Sequence, residues 1–187
     1  MAEAAWWQGG TLGWIGLLLV MGLWMLGAYN RLTALRAAIL AAWTPLEAGY
    51  QARTQALEAL LARSAEPLAA EHAACDAVAG AQAAVTAAVE LVARRPLLAS
   101  HVTELAKADA VLAAVSLRLL ALVQHTDALR GEPEVKDLLR TLKDLKPRVQ
   151  FARQGFNEAV QRYNAALSQF PTRLLGPVFR FEPGGTL

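Results

Sequence analysis

Between Ala4 and Asn30 the chain carries no charged side chain, and this stretch constrains everything that follows it. Its centre reads Trp14-Ile15-Gly16-Leu17-Leu18-Leu19-Val20-Met21-Gly22-Leu23-Trp24-Met25-Leu26. A helix of about 20 residues, rising ~1.5 Å per residue, spans the roughly 30 Å hydrocarbon core of a bilayer. A helix in a soluble core keeps a polar stripe, as every later segment of this chain does; this one is apolar all round. The sequence therefore predicts a transmembrane helix over residues 11–30, behind a short N-terminal segment, 1–10. Trp6 and Trp7 at one end and Tyr29 and Arg31 at the other are the candidate membrane-interface residues. A cleaved signal peptide would open with a basic region, but the first basic side chain is Arg31, beyond the apolar run. An uncleaved anchor is the preferred reading. With Arg31 and Arg36 after the span and no Lys or Arg before it, the positive-inside rule puts the N-terminus outside and the remainder in the cytoplasm.

Past the anchor, apolar residues recur at alternating steps of three and four. The first series is Leu32, Leu35, Ile39, Ala42, Leu46 and Gly49, continuing past Arg53 to Ala56 and Leu60, with Trp43 and Tyr50 beside it. No turn signal separates it from the anchor, so one helix is expected to run from membrane to bundle, bent at Pro45. Ser64 and Glu66-Pro67 mark a stop and a new start. The second helix carries Cys75, Val78, Gln82, Val85, Val89 and Val92, and stops at Arg94-Arg95-Pro96. A third, from near His101 to Gly131-Glu132-Pro133, shows Leu105, Ala108, Leu112, Val115, Leu119 and Leu122. The fourth runs from Val135 through Leu142, Val149, Phe156 and Tyr163 to Phe170 without losing the period, with Pro147 off the stripe. No strand alternation or hairpin turn competes. The fold expected is all-α: a transmembrane helix continuous with a long antiparallel four-helix bundle over residues 31–170. Helices of roughly 30–35 residues would be ~45–55 Å long. In that topology the fourth helix ends near the membrane, and the tail, 171–187, either lies at the lipid interface with its aliphatics, aromatics and Arg173 and Arg180 or caps the open end of the bundle. Both can hold together.

Chemistry is harder to find. A net charge of +2, from 18 basic and 16 acidic residues, is too weak for a nucleic-acid surface. His72, His101 and His125 stand on separate segments, none at the i, i+4 spacing of a helical metal site. The Glu-x-x-His pairs of di-iron bundles are missing, since Glu71 directly precedes His72. Cys75, the single cysteine, lies on an apolar stripe, where a small core residue is the simpler reading. There is no phosphate-binding glycine loop, nucleophile elbow or serine–histidine constellation. No catalytic residue, cofactor or metal is expected, and an enzyme is not.

Two end motifs resemble the LemA family. One is Tyr29-Asn30-Arg31-Leu32 with Leu35-Arg36 and Ala42-Trp43-Thr44; the other is Phe151-Ala152-Arg153-Gln154-Gly155-Phe156-Asn157-Glu158-Ala159-Val160 with Tyr163-Asn164 and Phe170-Pro171. Arg95-Pro96-Leu97-Leu98-Ala99-Ser100 is similar to the family's loop after the second long helix. The resemblance implies a membrane-anchored antiparallel bundle of bacterial origin, with relatives linked to envelope and membrane-organising roles, and it implies no mechanism. The chain departs from the family at Ala56-Leu57-Glu58-Ala59-Leu60, in place of an Ile-Pro-Asn-Leu run, and at Lys146-Pro147, in place of a Glu-Asn pair. Among the matching residues, Asn30, Arg153, Asn157 and Asn164 are candidates for hydrogen bonds that set the register of the first and fourth helices; solvated polar positions are the alternative. The expected role is a non-enzymatic scaffold or assembly protein of the bacterial inner membrane, self-associating into a homo-oligomer. An adaptor for a membrane protease or signalling protein is the alternative. The expected partners are the lipid bilayer and an unknown membrane or envelope protein, with no nucleic acid.

Overall fold

A computed structural model describes residues 5–169 and 181–187, with the side chains of 13–169 and 181–187. Helix α1, Ala5–Ser64, is one unbroken helix of 60 residues. A 3-10 turn, Ala69–Glu71, leads into α2, His72–Arg94. Then come α3, Ala99–His125, the one-turn α4, Asp127–Arg130, and α5, Pro133–Ser168. The described residues are helical or irregular, with no strand among them.

The two halves of α1 differ in what covers them. From Trp14 to Leu26 its large apolar side chains are exposed, Trp14 at 68% and Leu23 at 70%. From Leu32 onward the inward face is buried: Leu32, Ile39, Trp43, Leu46, Tyr50, Leu57 and Leu60. The first half is long and apolar enough to cross a membrane. Helix α2 also passes that length and composition test, but Val78, Val85, Val89 and Val92 sit in the core, which explains its apolar content. Trp6 and Trp7 lie on α1, but their side chains are outside the described residues, as is the tail from 170 to 180.

Helices α1 and α5 form one antiparallel pair. Arg63 near the end of α1 reaches Glu132 at 3.3 Å, and also pairs with Glu134, at the start of α5. At the other end Arg31 donates to the Gln169 side chain at 3.4 Å. Trp43 meets Phe156 edge to face, with ring centroids 5.8 Å apart. Helices α2 and α3 form the second antiparallel pair, tied by His101 beside the Leu91 carbonyl and by Arg118 on Glu71. The Gln82 amide joins the pairs by donating to the Thr54 carbonyl at 3.0 Å.

Two prolines inside helices have a common explanation. Pro45 and Pro147 are both exposed, so each points its missing hydrogen bond toward solvent rather than into the core. Neither ends its helix. Between them α1 and α5 approach closely: a Cβ on Gly49 would lie 2.9 Å from Cγ2 of Val149. The third helix departs from expectation at its C-terminal end. It stops at His125, where the Thr126 hydroxyl and backbone N–H both bond to the Leu122 carbonyl, and α4 then buries Leu129. Threonine competes well for a carbonyl one turn back, and the apolar period alone does not register that competition.

Candidate functional site

Two polar constellations stand out against this apolar frame. The first lies between α1, α3 and α5. Asp109 on α3, only 15% exposed, accepts a 2.6 Å charged hydrogen bond from Arg53 on α1 and has Arg153 of α5 at 3.8 Å. The Arg53 guanidinium lies 5.0 Å from the Tyr50 ring centroid. The Tyr50 hydroxyl is buried without a protein hydrogen-bond partner, and its pKa is pushed up to about 12 by burial first and the Asp109 charge second. The cluster brings one carboxylate and two guanidiniums from three helices together, which suits a register lock better than proton transfer. Burial keeps the Tyr50 phenol neutral near neutral pH.

The second constellation is made by the end of the chain. Residues 181–187 lie back along α5, running opposite to it. The Asn164 amide donates to the Gly184 carbonyl and accepts from the Gly184 N–H, both at 2.9 Å. The Asn157 amide does the same with Leu187, both at 2.8 Å. A side-chain amide has the same donor and acceptor pair as a peptide bond, so each asparagine reads one residue's backbone. The paired glycines have a steric reason. A Cβ on Gly185 would fall 2.8 Å from the Ala99 Cα, and one on Gly184 3.1 Å from Val160 Cγ1. At the start of this strap Phe181 is buried against Tyr29, centroids 6.1 Å apart, with the Arg36 guanidinium 4.4 Å from its ring centre. Arg36 also lies 6.0 Å from the Tyr163 ring.

The four register candidates therefore have different partners from those expected. Asn157 and Asn164 hold the strap instead of α1, because their face of α5 looks into the groove beside Leu97 and Ala99. Arg153 belongs to the Asp109 cluster and reaches α3. Asn30 is exposed, and its backbone carbonyl accepts from the Thr33 hydroxyl at 2.9 Å. Of the interface candidates, Tyr29 packs on Phe181 and Arg31 bonds to Gln169. For the tail, 181–187 lies in the bundle groove, and 170–180 falls outside the described residues. Reasoning from sequence missed Asp109, Tyr50, Arg36 and the glycine pair. One of these had a signal, since Asp109 is the single acidic residue between Glu104 and Asp127, and so did its partner Arg53, which interrupts an apolar stripe.

Among the described residues no group of three or more His, Cys, Asp or Glu is placed to hold a metal. His72 opens α2, while His101 and His125 lie at opposite ends of α3. Cys75 is half-buried, and burial followed by the neighbouring Asp76 charge raises its thiol pKa, making it less reactive.

These features define an all-α helical protein with a long, apolar N-terminal helix and a core that begins only at Leu32. The LemA family model matches residues 42–186, most of the chain, and the protein belongs to the LemA family. The matched region takes in the Asp109 cluster and the strap as far as Thr186, with Asn157 and Asn164. No curated protein matches the sequence.

Proposed function

We propose that this protein is a non-enzymatic, membrane-anchored scaffold or assembly protein of the bacterial inner membrane, with its N-terminus outside and its bundle in the cytoplasm. The observation that carries the proposal is the continuity of α1. One helix holds the exposed apolar half and the core-forming half with no linker between them. A rigid joint makes little sense for a domain that must search for a soluble substrate, but it holds a rod at a defined angle to the bilayer. Orientation rests on Arg31 and Arg36 just past the apolar run. Lateral packing of such rods, helped by their alanine-rich surfaces, supports self-association into a homo-oligomer. Cross-linking and sizing of the detergent-extracted protein tests this. A large homo-oligomer is the expected result, and a monomer overturns it.

A second reading, an adaptor for a membrane protease or signalling protein, is favoured by one surface. Phe151 is 79% exposed beside Pro45, Pro147 and Gly155, in an open apolar cleft of about 500 Å³. A solvent-facing phenylalanine there suits a partner. A monomer that co-purifies with a second protein, and loses it on Phe151→Ala, supports the adaptor over the scaffold.

A further inference from the structure

Arg36 is a half-buried cation without an anion. It joins no ion pair or hydrogen bond among the described residues, and its Nε is buried with no acceptor. The rings beside it hold the guanidinium without neutralising it: the Phe181 centroid lies 4.4 Å away and that of Tyr163 6.0 Å. The Tyr163 hydroxyl is itself buried without a partner, so it does not serve Arg36 either. Neither helix offers a carboxylate at this end, since α1 has no acidic residue before Glu47 and α5 none after Glu158. Glu182, next to Phe181 on the strap, is exposed and takes no part in an ion pair among the described residues. A guanidinium stripped of part of its water in this way favours an anion from outside the chain.

The position of Arg36 says where that anion comes from. Arg36 follows Tyr29 by seven residues, two turns and a rise of about 10.5 Å, so the two share one face of α1. Side chains on a helix lean toward its N-terminus, which here is the side of the apolar run. The Arg36 guanidinium accordingly lies against Phe181, whose ring meets that of Tyr29, the residue that closes the run. The headgroup layer on each side of a bilayer is roughly 5–7 Å deep, and a long side chain that leans back reaches it. Arg31 is a second cation at this level, and its partner among the described residues is the neutral amide of Gln169.

We propose that Arg36, framed by Tyr29 and Phe181 and supplemented by Arg31, binds the phosphate of an anionic phospholipid headgroup in the leaflet next to the bundle. The inference rests on the anchored reading of α1 and names the lipid class that the anchor meets. A guanidinium presents paired N–H donors that match two phosphate oxygens. A headgroup with no cation of its own, such as phosphatidylglycerol, leaves its charge for Arg36, whereas phosphatidylcholine carries an ammonium that competes for it.

The test uses the full-length protein in detergent, with native mass spectrometry reading the lipid retained from an equimolar mixture of phosphatidylglycerol and phosphatidylcholine. The wild type is expected to retain phosphatidylglycerol preferentially. Arg36→Gln should weaken that lipid about 10-fold, the effect of losing a hydrogen bond to a charged group, and leave phosphatidylcholine unchanged. Arg36→Lys should fall between, because an ammonium keeps the charge but not the fork. Arg140→Gln removes the same charge near the start of α5, at the opposite end of the bundle, and should change neither lipid. Melting gives a second readout: phosphatidylglycerol should raise the melting temperature of the wild type and not that of Arg36→Gln. Equal retention of the two lipids by the wild type, or equal losses in Arg36→Gln and Arg140→Gln, would overturn the proposal. So would stabilisation by millimolar inorganic phosphate equal to that by the lipid, which marks a site for free phosphate. Flotation with phosphatidylcholine-only liposomes after a carbonate wash tests the anchored reading separately. A protein that floats but shows no lipid preference sinks this proposal alone, and one that does not float sinks both.

Discussion

Tyr50 and Asp109 show how a single buried polar residue is tolerated in a helical core. The Tyr50 hydroxyl has no protein hydrogen-bond partner, so its removal takes away an oxygen that gains little from being there. Tyr50→Phe is expected to change stability near pH 7 by less than about 1 kcal/mol in either direction, measured by chemical denaturation. Its effect belongs at high pH. The folded state holds the phenol neutral up to about pH 12, whereas an unfolded phenol ionises near its ordinary value of 10. The unfolded state thus releases its proton first, and wild-type stability falls as pH rises from 10 to 12, by roughly 1.4 kcal/mol per pH unit at most. Tyr50→Phe should flatten that slope, and a series of denaturation curves across the interval checks it. Asp109 is the opposite case. Both arginines depend on it, so Asp109→Ala should cost about 2–3 kcal/mol, less than a fully buried pair because Arg153 remains 40% exposed. Asp109→Ala combined with Arg53→Met should recover part of that loss, which equilibrium unfolding of the double variant measures.

At the scale of elements, the approach of α1 to α5 is decided at Gly49. An alanine there improves helix propensity by about 1 kcal/mol, but its Cβ would sit 2.9 Å from a methyl of Val149. Valine is stiff about χ1, so the methyl cannot swing away cheaply. Gly49→Ala is therefore expected to destabilise by about 1–2 kcal/mol, and Gly49→Ala with Val149→Ala to lose less than the two single changes summed. Thermal melts of the four proteins in that cycle would show it. The strap is also an element in this sense. It bridges α5, the α2–α3 junction and α1, through the asparagines, Leu97 with Ala99, and Phe181.

Across the whole molecule, the apolar half of α1 and the bundle divide cleanly. The described residues of the first half, up to Ala28, contribute none of the buried core, which starts at Leu32. Residues 29–187 alone are therefore expected to fold in aqueous buffer, with a melting temperature within a few degrees of that of the full chain in detergent. Aggregation or loss of helical circular dichroism in that fragment would show instead that the bundle needs its anchor. The same division explains why α1 and α2 both look apolar by length and composition, yet only α1 presents that surface outward.

The helical period was plain in the residues: Leu32, Ile39 and Leu46, Val78 and Val85, Leu105, Leu112 and Leu119, and Val149, Phe156 and Tyr163 were all placed on inward stripes and are all buried. So were the N-terminal apolar run and the family, through Ala42-Trp43-Thr44 and Phe151–Val160. These are local properties, since a 3.6-residue repeat states which face is apolar whatever that face later meets. The partners of polar side chains are not local. Asn157 and Asn164 looked fit to join two helices, and an amide would serve there equally well; that they hold Leu187 and Gly184 depends on where the chain's last residues return. Arg53, Asp109 and Arg153 are far apart in sequence and meet only because three helices converge. The long apolar helix with which the sequence opens is thus written in composition, while its rigid union with the bundle comes from α5 and α2 packing along its second half.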